Sequence, residues 1–254
     1  MQDIDEDFIH RGDGRYHRII TNEDRRKLLN KEEIELPKGI WDHLDKDYKF
    51  VFPFEEIKES IERNFPKEIE KTEMYKTLIT EDRLKELVRL ADLTPKDGLI
   101  VELGVYKGGS LKYMMDNLPV RLFAGFDTFE GLPKEQWNED EIHKPGDFND
   151  NSIEIVEEYL KDYVNFHLYK GLFPKDIPES FSHYKVSFVH CDLDFYEGAK
   201  ACIEYFYPKL PVGGIIVFDD YLWENCPGVK KALEESKLKY QPTNAKFQAY
   251  IIKE

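Results

Sequence analysis

Cysteine is scarce in this sequence: Cys191, Cys202 and Cys226 are the only three in 254 residues, and none falls in a Cys-x-x-Cys pair. An odd number without that spacing argues against a disulfide framework and a structural zinc site, and points to free thiols in a reducing compartment. Long hydrophobic runs are also missing. No apolar stretch approaches the roughly 20 residues of a membrane span, and the opening MQDIDEDFIHRGDGRYHR has no basic segment followed by an apolar one, the pattern of a secretory signal. Positive charge is in short supply. Lys and Arg number 36 against 51 Asp and Glu, a formal net charge of -15, which repels phosphate backbones and anionic lipid surfaces. The expectation is a cytoplasmic protein with neither nucleic acid nor a membrane as partner.

What is present is globular composition, with 41% hydrophobic and 14% aromatic residues, enough for one core and one principal domain. Residues 1–75 are polar and interrupted by Pro37, Pro53 and Pro66, yet carry Trp41, Tyr48, Phe50, Phe52 and Phe54. This N-terminal extension reads either as a flexible tail or as a lid over the body, residues 76–254. Its aromatics also suit exchange between subunits of a homo-oligomer.

From Thr80 the pattern becomes regular. TEDRLKELVRLADL has a capping threonine, an acidic first turn and Leu84, Leu87, Val88 and Leu90 at helical spacing. Strands are expected at LIVEL, RLFAGFD, VNFHLY, VSFVH and GIIVFDD. Helices are expected at LKYMMDNL, SIEIVEEYLKDY, AKACIEYFYPKL and PGVKKALEESK, the last with proline at its start. That alternation implies an α/β fold with a mostly parallel, doubly wound sheet. LKYQP and FQAYII close the chain as an antiparallel edge hairpin.

VELGVYKGGS, residues 101–110, stands where the first strand turns into a helix. Gly104, Gly108 and Gly109 permit positive φ and close backbone approach, and the helix that follows presents free amides. The spacing is not the dinucleotide Gly-x-Gly-x-x-Gly. Glu102 at the strand end suits an ammonium group and Asp127, ending the second strand, two ribose hydroxyls. Together they suit a nucleoside carrying an amino acid, of which S-adenosylmethionine is the obvious candidate. In GFDTFEGLP, Asp127 and Phe129 suit ribose and adenine contacts.

Two acidic clusters end consecutive strands: Asp192 and Asp194 in HCDLDFY, and Asp219 and Asp220 in FDDY. Carboxylates brought to one edge of a parallel sheet repel one another unless a proton or cation intervenes. The oxygen-rich set points to Mg²⁺, Mn²⁺ or Ca²⁺ rather than zinc, and His190 reads as a packing residue behind it. The bland alternative has Asp194 and Asp220 capping helices or turns.

These stretches resemble the macrocin O-methyltransferase (TylF-type) family of S-adenosylmethionine-dependent enzymes, through ELGVYKGGS, GFDTFEGLP, DLDFYEGAKACIEYFYPKL, GGIIVFDDY and PGVKKAL in order over about residues 74–235. The resemblance implies a class I methyltransferase fold, Rossmann-like, with a seven-stranded sheet whose last strand is antiparallel. It implies metal-assisted methylation of a hydroxyl on a sugar of a natural product or glycan. By position, Asp192, Asp219 and Asp220 would bind Mg²⁺ and Asp194 would be the general base. Glu102, Gly104, Tyr106, Ser110, Asp127, Thr128, Phe129 and Asp192 would line the cofactor. Where the family's loop has Trp-Arg this chain has Tyr106 and Lys107, which keeps the backbone cradle and changes its side chains. Other readings are a phenolic or catechol-like acceptor and a non-catalytic cofactor-binding protein. A pure binder has no need of four clustered aspartates.

Overall fold

The computed structural model describes residues 75–254 and, nearer the N-terminus, the backbone of two short paired strands, β1 (Phe8–His10) and β2 (Tyr16–Arg18). The remainder of the N-terminal extension, including the aromatics proposed as a lid, lies outside the described residues.

The body follows the expected alternation. In chain order it runs α1 (Glu81–Leu93), β3 (Leu99–Leu103), α2 (Gly109–Asn117), β4 (Phe123–Asp127), α3 (Ile153–Tyr159), β5 (Phe166–Lys170), β6 (Val186–Cys191), α4 (Tyr196–Phe206), β7 (Ile215–Asp219), α5 (Pro227–Ser236), β8 (Tyr240–Pro242) and β9 (Gln248–Ile252). One seven-stranded sheet has the order β5-β4-β3-β6-β7-β9-β8. The pairs from β5 to β7 are parallel, and β9 runs antiparallel to both β7 and β8.

Every residue of β3, β6 and β7 is buried, as a parallel sheet covered on both faces requires. Alternation sends Val101, Leu103, Ile216 and Phe218 to the face packed by Ala199, Cys202 and Phe206 of α4 and Val229 and Leu233 of α5. Ile100, Phe188, Ile215 and Val217 go to the other face, under Leu84, Leu87 and Leu90 of α1, Leu111 and Met114 of α2 and Val156 of α3. The same parity directs Glu102, His190 and Asp219 toward the α1 face. The chain leaves β3 for β4 on one side and returns to β6 on the other, so the strand order reverses between β3 and β6, where open α/β sheets bind ligands. Among the described residues no helix is long and apolar enough to cross a membrane.

Candidate active site

The register places Glu102 of β3 beside His190 of β6, and two residues beyond the pairing of His190 with Val217 comes Asp219 of β7. A line of fully buried charge results. His190 Nδ1 lies 2.9 Å from Glu102 Oε1, and its Nε2 lies 2.6 Å from Asp219 Oδ2. Burial works against the imidazolium, but the bonds to Asp219 and Glu102 prevail and hold His190 well above its ordinary pKa. Burial likewise opposes an ionised Asp219, yet His190 and Arg83 hold that carboxyl below the usual range.

Arg83 comes from the first turn of α1. Its Nη1 donates to Asp219 Oδ1 at 2.8 Å and to Asp220 Oδ1 at 3.2 Å, while Gln248 Nε2 of β9 donates to Asp219 Oδ2 at 3.1 Å. Position 83 was not singled out from the sequence. It stands four residues before Leu87 and seven before Leu90, on the apolar face, and that spacing was the available signal. Burial lowers its pKa, and Asp219, Asp220 and Asp192 more than restore it.

The other carboxylates converge as anticipated. Asp194 and Asp220 both take left-handed backbone, φ 58 and φ 61, a conformation that costs a non-glycine residue about 1–3 kcal/mol and recurs at functional sites. Burial and then the Asp219 and Asp220 charges raise Asp192 well above the carboxylate range. Burial and Asp220 push Asp194 up to about 8, and burial and Asp219 raise Asp220 against the pull of Arg83. The Cys226 thiol donates to Asp194 Oδ1 at 3.3 Å, and burial keeps that thiol protonated by pushing its pKa far up.

The glycine loop is a built turn. Gly104 has φ 84, and a Cβ there would meet the Asp192 carbonyl oxygen at 1.9 Å. The loop therefore passes against the end of β6 only because the residue is glycine. Gly108, left-handed at φ 79, caps α2, and a Cβ on Gly109 would strike the Lys76 backbone at 2.4 Å. Asp127 ends β4 and accepts from the amides of Val105 at 2.8 Å, Tyr106 at 2.7 Å and Phe129 at 2.7 Å. Its carboxylate thus also holds the loop's shape, and a carboxylate has about four acceptor positions.

One cavity of about 320 Å³ joins the two regions, within the range of roughly 300–1,000 Å³ for small-molecule sites. Of the expected cofactor residues, Gly104, Tyr106, Ser110, Asp127, Thr128 and Asp192 line it. Asp194 and Asp220 line it too, with His143, Trp223 and Cys226, which were not singled out from the sequence as site residues. Phe129 is packed in the core under α2 instead, while Glu102 and Asp219 lie buried behind the wall. Glu102 Oε2 is buried and has no partner among the described residues.

The reversed strand β9, the switch point between β3 and β6 and the carboxylate-lined cavity there define a class I methyltransferase fold. The family model described as Macrocin-O-methyltransferase (TylF) matches residues 47–244: this chain belongs to that family. Demethyldecarbamoylnovobiocin O-methyltransferase of Streptomyces niveus is 28% identical over 165 residues, 56% of this chain and 59% of that protein. The 8-demethyl-8-(2,3-dimethoxy-alpha-L-rhamnosyl)-tetracenomycin-C 4'-O-methyltransferase of Streptomyces olivaceus is 26% identical over 152 residues, 54% of this chain and 57% of that protein. The chain thus spans under two thirds of the length of these curated relatives. The solved structure of the O-methyltransferase NovP shares the fold, with a TM-score of 0.60 at 24% identity over 70% of this chain and 81% of its own. CalS11, a calicheamicin methyltransferase, gives 0.55 at 20% identity over 87% and 99%.

Proposed function

We propose that this chain is an S-adenosylmethionine-dependent O-methyltransferase acting with a divalent cation on a sugar hydroxyl of a natural-product glycoside or surface glycan. The observation that carries this reading is the single cavity running from Asp127 and the glycine loop to Asp192, Asp194 and Asp220. One cavity thus carries both the residues suited to a methyl donor and the carboxylates suited to an acceptor. Both curated relatives are named as O-methyltransferases, and the name of one specifies a rhamnosyl substrate.

The residues fit the donor. Asp127 and the N-terminus of α2 face the cavity, and the unpartnered Glu102 Oε2, buried behind its wall, suits the donor's amino group through an intervening water. They also fit a cation. Asp192, Asp219 and Asp220 are hard oxygen donors of the kind Mg²⁺ prefers, with Mn²⁺ or Ca²⁺ served by the same set. A His190 nitrogen and carboxylate oxygens of Asp192 and Asp219 lie within 4.8 Å of one another, the imidazole being already committed to Glu102 and Asp219. The raised carboxyls of Asp192 and Asp220 mark an excess of negative charge that a cation relieves. When bound, such an ion would acidify the acceptor hydroxyl and orient it for attack.

Asp194 serves as the proton acceptor. Bound S-adenosylmethionine would supply the methyl group, and the Asp194 carboxylate would take the proton of the hydroxyl that accepts it. The rise of Asp194 to about 8 belongs to the cluster without a cation; beside a bound ion its carboxyl would be held lower, and its use as a base would rest on the ion acidifying the acceptor hydroxyl. The bond from Cys226 fixes the direction of Asp194.

Calorimetry with S-adenosylhomocysteine tests the donor half. Binding to the wild type and its loss in Asp127→Ala are expected, and no binding to the wild type would sink the reading. Screening sugar glycosides against phenolic diols with a labelled methyl donor tests the acceptor class. Transfer confined to phenols would overturn the sugar assignment.

A further inference from the structure

We propose that Arg83 is a resident counter-cation of the carboxylate cluster, which a divalent ion must displace from Asp219 and Asp220 rather than simply join. The proposal rests on the cation reading above and concerns this chain's own competitor for that site.

Asp219 has one position left for a cation. Its Oδ2 is already taken by His190 Nε2 at 2.6 Å and Gln248 Nε2 at 3.1 Å, so an incoming ion has to use Oδ1. That oxygen receives Arg83 Nη1 at 2.8 Å, and the same nitrogen reaches Asp220 Oδ1 at 3.2 Å. A guanidinium cannot shed its proton to make room. A divalent ion in the remaining position of Oδ1 would stand within a few ångströms of the guanidinium, and side by side the two repel.

The surroundings show what Arg83 does while it is there and where it can turn. Its side chain is only 5% exposed yet lines the cavity. It stands over the indole of Trp223, 5.6 Å from the ring, on the loop that follows Asp220. The cation–π contact holds a guanidinium released from the carboxylates within the same wall. Arg83 thereby keeps two adjacent buried aspartates from repelling one another and at the same time weakens the cluster's hold on a second cation. The site this predicts is exchangeable rather than permanently loaded.

The test is calorimetric titration of chelator-treated full-length protein with MnCl₂, comparing wild type, Arg83→Met and Arg83→Lys. Arg83→Met should bind Mn²⁺ at least about tenfold tighter, because a fixed positive charge a few ångströms away is gone. Arg83→Lys, which keeps the charge, should stay within about threefold of wild type by the same reasoning. Mn²⁺ should also raise the melting temperature of Arg83→Met more than that of wild type. If Arg83→Met does not fold in chelator, Arg83→Gln, neutral but still a donor to Asp219, carries the same expectation. Wild-type binding with no gain in the neutral variants overturns the counter-cation alone. No binding in any form overturns the cation reading together with it.

Discussion

His190 is committed to charge rather than to packing. Replacing it by leucine leaves Glu102 and Asp219 buried without their shared partner, a loss expected to cost about 3–5 kcal/mol in chemical denaturation. Because the folded-state pKa of His190 lies above its unfolded value, its contribution is fully present below about pH 6.5 and fades as pH rises through the raised value. Asp192, Asp194 and Asp220 are carboxyls raised by folding, so the folded state holds their protons more tightly. Without a divalent ion, stability should therefore fall from about pH 4 toward pH 8, and denaturant melts in chelator should show that decline. Asp194→Asn should flatten part of it. The same variant should lower turnover by about 10²–10⁴-fold while leaving S-adenosylhomocysteine affinity nearly unchanged; turnover at the wild-type rate would remove Asp194 as base.

The glycine loop differs from an ordinary turn in what surrounds it. Gly104→Ala combines positive φ with a Cβ 1.9 Å from a backbone oxygen and should cost well over the roughly 1 kcal/mol of left-handed strain alone. Gly146→Ala, at φ 87 with nothing within 4 Å of the added carbon, should cost about that strain and no more; comparable melting temperatures for the two would contradict this account of the loop. LIVEL and PGVKKALEES were legible because apolar runs and proline at a helix start are local signals. The start of α4 was not. The helix begins at Tyr196 rather than Ala199, because Glu141 Oε1 accepts from the Tyr196 amide at 2.8 Å, a cap supplied from 55 residues away. Arg83 escaped for a related reason: the charge that explains its burial comes from β7, far along the chain. The convergence of the aspartates, by contrast, was legible, since parallel strands must end at one edge.

Across the whole molecule, the net charge of -15 gives an overall field that favours cations over phosphates. Methyl transfer should consequently lose little when free phosphate is added at constant ionic strength and fall when divalent ions are withdrawn. The division proposed for the chain, an extension over 1–75 and a methyltransferase body over 76–254, has Tyr75 at its junction. That residue already packs against Tyr113 with ring centroids 5.0 Å apart and bonds to Asp116 at 2.8 Å, so truncation should be placed before it. The most direct test of the central claim is transfer of labelled methyl from S-adenosylmethionine to a panel of sugar glycosides, with Mg²⁺ and again in excess chelator. The account predicts a methylated sugar that depends on Mg²⁺ and is restored when the ion is returned. Transfer that continues undiminished in chelator would contradict it.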